Sequence, residues 1–273
     1  MVFDPKRGNY YRMPIFFGPT PGPRQWPDTL QCDFNVAPKR RIIGASFLSN
    51  ADQLQSFLPT CFTLWGEPVV TVEAQYITEI GWLAGRGYNM CDVKFNVVYQ
   101  GAGKPVHGTL VLVRFESLCD PILSGREELG HNKLWCDIPE LKILDGRYSF
   151  SLSWLGYQFL HVSVSNLKPV EQASKPNPQH QGLLSYKYIP KTGEWGVADV
   201  EYATLTPPAQ TGKTLSSLKG EGNIAFVKST WQDLPTLHHL VNAFESLENH
   251  GWRGGYLQDA EGGHSAAATY KLD

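Results

Sequence analysis

No apolar run in this sequence approaches the ~20 residues that span a bilayer. The strand-like TLVLVRF at 109–115 already carries an arginine, so no membrane segment is expected. An excess of one charge is also missing. Lys plus Arg number 24 against 26 for Asp plus Glu, a formal net charge of -2, which removes the electrostatic basis for binding nucleic acid or an acidic membrane. Cysteine is sparse. Cys32, Cys61, Cys91, Cys119 and Cys136 are odd in number and widely spaced, without a CxxC pair. This argues against a disulfide framework and against a clustered zinc site. The thiols read as reduced, in a cytoplasmic protein. The opening MVFDPKRGNYYRMPIFFGPTPGPR has charges and prolines where a secretory signal needs an unbroken apolar stretch. Export is not expected. No repeat of 20 to 50 residues is visible, which excludes a propeller or solenoid.

What is present fits a globular, turn-rich chain. Of 273 residues, 42% are hydrophobic, 18% charged and 12% aromatic, with 26 Gly and 19 Pro, and β-rich chains of this length often form one domain. We divide the chain into a Pro/Gly-rich arm, 1–41, and a single domain, 42–273. RRIIGASFLS opens the strand pattern. NADQLQSFLP follows as a short helix, with Asn50 as cap, Leu54, Phe57 and Leu58 at helical spacing, and Pro59 as stop. EPVVTVEAQYITEI, VKFNVVYQGAGKPVHGTLVLVRFES and DGRYSFSLSWLGYQFLHVSVSNL are β-branched and aromatic stretches joined by glycine turns. They predict an antiparallel meander. NLKPVEQASKPNPQHQG reads as a surface loop, after which GLLSYKYIPKTGEWGVADVEYATL and NIAFVKST resume the strand pattern. In DLPTLHHLVNAFESLENHG, Asp233 is the expected cap, and Leu237, Leu240, Val241, Phe244 and Leu247 form one apolar stripe to pack on the sheet.

Three motifs carry no site. TGKT at 211–214 looks like the end of a phosphate loop, but Pro207 occupies the place of the first glycine. GAGKPVHG lies between two strand patterns and is a hairpin turn. His238 and His239 are adjacent on a helix and point apart, a poor geometry for shared metal ligation. No metal and no cofactor are expected.

Lysines are mostly exposed, and Lys133 taken alone would be read so. Its surroundings change that. SGREELGHNKL at 124–134 resembles the GRE-containing segment of the acetoacetate decarboxylase family, in which a lysine eight residues after the glycine forms a Schiff base with a keto acid. Lys133 falls on that lysine. EPVVTVE at 67–73 is similar to the family strand that ends in an acid, here Glu73. SFLSNADQLQSFLP resembles the family's strand, short helix and proline, and counting back places Arg40 on the arginine associated with the substrate carboxylate. These matches span roughly residues 38–145.

The resemblance implies a mostly antiparallel β barrel or cone with a few covering helices, a homo-oligomer, and an enclosed lysine. It implies a cofactor-free lyase, decarboxylase-like and suited to a biosynthetic pathway, acting on a keto or β-keto acid, or on a larger polyketide-like substrate. An aldolase, dehydratase or cyclase using the same lysine stays open, as does a barrel that binds an apolar ligand without turnover. A lysine attacks a ketone only when neutral, and its ordinary pKa of about 10.4 must fall by about three units, or ~4 kcal/mol. Activation by burial and a neighbouring cation is a known property of that family and is carried over with the resemblance. Arg40 would hold the carboxylate, and Glu73 would relay protons or balance charge.

Arg126 and Glu127 are read either as site groups or as a buried ion pair that fixes Lys133. His131 is a proton shuttle or a stacking group. Two departures from the family pattern stand out. Leu134 occupies the position of a second lysine, leaving desolvation and the charge of Arg40 or Arg126 to activate the amine. In RGYNMCD, Tyr88 matches the family while Met90 stands where an acid is common. A thioether transfers no proton and makes that end of the pocket apolar.

Overall fold

The computed structural model describes residues 11–14, 37–170, 177–209, 212–263 and 268–273. Cys32, the arm outside residues 11–14 and 37–41, Thr211 of TGKT and residues 171–176 of the proposed loop lie outside the described residues. The first half of the chain forms β1 (Lys39–Leu48), α1 (Ala51–Gln55), β2 (Phe62–Leu64), β3 (Val69–Thr78), β4 (Tyr88–Tyr99) and β5 (Val106–Glu116). There follow α2 (Cys119–Ser124), a π-turn over Gly125–Leu129, and β6 (Lys133–Trp135). The second half forms β7 (Lys142–Leu144), β8 (Arg147–Trp154), β9 (Tyr157–Pro169), β10 (Leu183–Pro190), β11 (Ala198–Thr206) and β12 (Gly212–Phe226). It ends with α3 (His238–Glu245), β13 (Gly251–Gly262) and β14 (Tyr270–Lys271).

All fourteen strands belong to one sheet, in the order β14-β11-β10-β5-β4-β3-β1-β13-β12-β9-β8-β7, with β2 added to β4 and β6 to β5. The fold is mostly strand and mostly antiparallel, as the sequence predicts; β5 pairs in parallel with β6 and β10. The expected barrel is not closed, because β14 and β7 stand at opposite ends of the ladder among the described residues. Two of the predicted glycine turns have the left-handed geometry that suits right-handed strand twist. Asp145 and Gly146 have φ of 48° and 72°, and Leu155 and Gly156 have φ of 47° and 91°. GAGKPVHG joins β4 to β5 as a hairpin, and Gly212–Thr214 of TGKT lie in β12. NLKP of the proposed loop continues β9.

Asn50 caps α1 by accepting from the backbone N–H of Asp52 and Gln53. The later helix starts further on than its pattern suggests. Asp233 accepts from the N–H and hydroxyl of Thr230, which closes a turn there, and α3 begins only at His238. Its stripe is nevertheless correct: Leu237, Val241 and Phe244 are buried, with Leu240 and Leu247 packed against the same core. Strand alternation separates two environments. Ile43, Ala45 and Phe47 of β1, Val70, Val72 and Ala74 of β3, and Cys91 and Val93 of β4 enter the apolar core. The alternate face of these strands carries the polar residues Glu73, Gln75, Asp92 and Lys94, of which Gln75 and Asp92 are buried and Glu73 and Lys94 half-buried.

Candidate active site

The strand registers place polar residues of the alternate face in one row across the sheet. Tyr256 on β13 is the partner of Gly44 on β1, which is the partner of Glu73 on β3. Glu73 faces Asp92 on β4, Asp92 faces Arg114 on β5, and Arg114 faces Lys133 on β6. Gly44 is required for this row, since a Cβ there would lie 2.6 Å from the ring and hydroxyl of Tyr256. The ring instead crosses the glycine and donates its hydroxyl hydrogen bond to Glu73.

Glu73 is the better satisfied of the acids in this region. Lys94 lies 2.8 Å away, Gln75 donates at 2.9 Å, and Tyr256 donates a third bond. Although burial works to raise its carboxyl, Lys94 and the donors outweigh that effect and hold it at about 2. Asp92 and Arg114 form a two-bond pair at 2.6 and 2.7 Å, both nearly inaccessible.

Lys133 is buried, with 6% of its surface exposed. Its Nζ donates to the carbonyl of Pro121 in α2 at 2.8 Å and lies 2.8 Å from Oε1 of Glu116. Burial lowers the amine's pKa most, and the positive charge of Arg114 lowers it further against the pull of Glu116. The glycine eight residues earlier has a steric role. A Cβ on Gly125 would lie 2.4 Å from Cε and 2.6 Å from Nζ of Lys133. Gly125 has φ -66°, which alanine adopts freely, so Gly125→Ala strains no backbone; its cost, about 1–3 kcal/mol, comes from overpacking that displaces the amine. Acylation of Lys133, followed by peptide mass mapping, should fall at least about tenfold relative to the parent chain.

The remaining sequence candidates are distributed unevenly. Of the two readings of Arg126 and Glu127, the ion pair between them does not form. Nη1 of Arg126 donates to the carbonyl of Lys133 at 2.9 Å, and Glu127 accepts from the N–H of Met13 at 3.3 Å. Glu128 pairs instead with Arg12, whose side chain is inaccessible. The turn is thus held by residues of the arm. The cation acting on the amine is Arg114, rather than Arg40 or Arg126. Leu134 packs against the apolar core, since alternation turns it to the face opposite Lys133. His131 is buried, with Nε2 3.2 Å from the Thr206 hydroxyl. Met90 is buried with Ile77 and Ile80, and Tyr88, Trp82 and Leu83 pack on them. Burial, and then the negative charge of Glu116, raise the Tyr88 phenol.

Arg40 lies on the polar face of β1 and borders a cavity of about 510 Å³ that Gln75, His180 and Thr206 also line. Its Nε is buried and meets no hydrogen-bond acceptor among the described residues. No group of three or more metal-ligating side chains occurs among the described residues, and no described helix is long and apolar enough to cross a membrane. Sequence reasoning missed Asp92, Lys94, Arg114, Glu116 and Tyr256. Arg114 and Glu116 had a visible signal, two charges at period two inside an apolar strand.

No curated protein matches the sequence. Several solved structures share the fold. Acetoacetate decarboxylase from Legionella pneumophila superposes with a TM-score of 0.68 over 91% of both chains at 18% identity. The enduracididine biosynthesis enzyme MppR, complexed with the condensation product of pyruvate and imidazole 4-carboxaldehyde, gives 0.65 over 87% of this chain and 88% of its own, at 14% identity. An acetoacetate decarboxylase-like enzyme from Sphingomonas wittichii RW1 gives 0.64 over 87% and 92%, at 11% identity. At such identities the likeness speaks for the fold. The family model for acetoacetate decarboxylase (ADC) matches residues 12–245, a span that runs from the buried Arg12 through every member of the polar row except Tyr256 as far as α3, and the chain therefore belongs to the acetoacetate decarboxylase family.

Proposed function

We propose that this chain is an enzyme that joins a keto or β-keto acid to Lys133 as a Schiff base. The observation that carries the reading is the amine itself, enclosed, lowered in pKa by burial and by Arg114, and held by Pro121 and Glu116. A protonated imine draws electrons from the adjacent carbon. In a β-keto acid, the bond to the carboxylate breaks, its pair moves through the new double bond to nitrogen, and carbon dioxide leaves behind an enamine. Protonation of the enamine carbon and hydrolysis by water release the ketone and restore the lysine.

Arg40 supplies the substrate carboxylate with a half-buried guanidinium whose Nε has no acceptor of its own among the described residues. Glu73, kept ionised by three donors, acts as a fixed charge; as a proton relay it is the wrong acid at neutral pH. The apolar cluster of Met90, Ile77 and Ile80 favours a substrate with an apolar part. It also supports a second outcome, in which a proton rather than carbon dioxide leaves and the enamine attacks an aldehyde. The MppR complex with a pyruvate condensation product is in keeping with that outcome.

The test is reductive trapping. Incubation with acetoacetate, pyruvate and acetone in the presence of cyanoborohydride is expected to add one substrate skeleton to Lys133, located by peptide mass spectrometry. The two acids should react at lower concentration than acetone. Absence of any Lys133 adduct across this panel would remove the Schiff-base reading and favour the ligand-binding barrel. Release of carbon dioxide from acetoacetate separates decarboxylation from condensation.

A further inference from the structure

Two enclosed acids on the polar face have opposite surroundings. Glu73 is saturated with donors and held at about 2. Glu116, at the end of β5, has no exposed surface; Oε1 faces Lys133 Nζ at 2.8 Å, and Oε2 meets no hydrogen-bond donor among the described residues. Burial raises its carboxyl above the ordinary range, against the pull of Lys133 and Arg114. When two acids are driven apart in this way, one is a fixed charge and the other a proton carrier. The register adds a reason of place. The partner of Glu116 on β4 is Met90, so the strand that lacks an acid at this level is flanked by one that supplies it.

We infer that Glu116 exchanges the proton with Lys133, taking it from the ammonium before attack and giving it back to the hydroxyl that departs. This rests on the Schiff-base reading above. Oε1 accepts one proton from Nζ, which leaves a neutral amine and a neutral acid. The nitrogen lone pair forms a bond to the substrate carbonyl carbon, the carbonyl π pair goes to oxygen, and a proton passes from nitrogen to that oxygen to give a carbinolamine. Glu116 then protonates the hydroxyl. Water leaves as the nitrogen lone pair closes the carbon–nitrogen double bond. Ammonium, carboxylate and ketone have become iminium, carboxylate and water, with no net change of charge and no co-reactant.

The substitution Glu116→Gln keeps the shape and removes the exchangeable proton. Two rates at Lys133 are measured across the neutral range: cyanoborohydride-trapped adduct formation with pyruvate, and acylation by acetic anhydride, which needs the free amine but no acid. Adduct formation should fall about 100-fold and lose its pH optimum. Acylation should be at least as fast as in the parent chain, because the ammonium has lost its counter-charge. Adduct formation within about twofold of the parent would overturn the assignment and leave the Schiff base intact. Loss of both reactions would also overturn it, making Glu116 a group that merely places the amine. Acylation without any adduct in the parent chain would remove the Schiff-base reading and this one together. Should the glutamine variant not fold, Glu116→Asp withdraws the acid by one methylene, and the same comparison applies: slower adduct formation with acylation retained.

Discussion

Lys133→Ala is expected to abolish capture of keto compounds at this position and to cost stability at the same time. The lost adduct follows from the proposed chemistry. The lost stability follows from Glu116, whose carboxylate would remain inaccessible with its lysine gone. Breaking one side of a buried pair costs about 3–5 kcal/mol, and urea unfolding at neutral pH would measure it. The sign of the pH dependence is fixed by the raised carboxyl. A group whose folded-state pKa lies above its unfolded value adds full stability below the unfolded value, here the ordinary 4.5, and loses it as pH rises through the folded value. The alanine variant should therefore recover stability relative to the parent as pH falls toward 4.5. The double variant Lys133→Ala with Glu116→Gln should recover most of it at neutral pH while remaining inert toward keto acids. A single variant as stable as the parent at neutral pH would mean that Glu116 is already neutral there.

Asp92→Ala should be the other severe change. Arg114 is 3% exposed and gives two short bonds to Asp92. Without Asp92, a guanidinium that cannot deprotonate remains in the interior, and we expect a loss of about 3–5 kcal/mol. Replacing both partners, Asp92→Leu with Arg114→Met, should restore a cooperative transition, since a matched apolar pair avoids the desolvation cost. That restored fold separates structure from chemistry. Arg114 lowers the pKa of Lys133, so the double variant should need a higher pH to acylate the amine. An unchanged acylation profile would show that burial alone sets the basicity of Lys133.

Much of the scaffold was legible in the chain because it depends on local pattern. The meander, its glycine turns, the cap at Asn50 and the apolar stripe of α3 follow from periods of two and 3.6 and from turn chemistry. The start of α3 was misplaced because Thr230 and Asp233 satisfy each other in a turn, a use of the same side chain that capping rules do not distinguish. Gly125 and Lys133 were recognisable as a spacing, but the reason for the spacing was not. The glycine lies against the lysine side chain, a contact invisible without the π-turn and β6 between them.

By itself the sequence determined a β-rich chain with neither an excess of charge nor a cysteine framework, and its resemblance to the acetoacetate decarboxylase family over roughly residues 38–145 singled out Lys133, Arg40 and Glu73. Only the tertiary structure decided what surrounds the amine. Asp92, Arg114, Glu116 and Tyr256 come from three stretches of chain, β4, β5 and β13. Strand register brings them into contact, and register is fixed by how entire strands bury their apolar faces, a property of the sheet and not of any local motif. Burial then converts that contact into altered basicity, because the cost of a charge depends on everything packed around it.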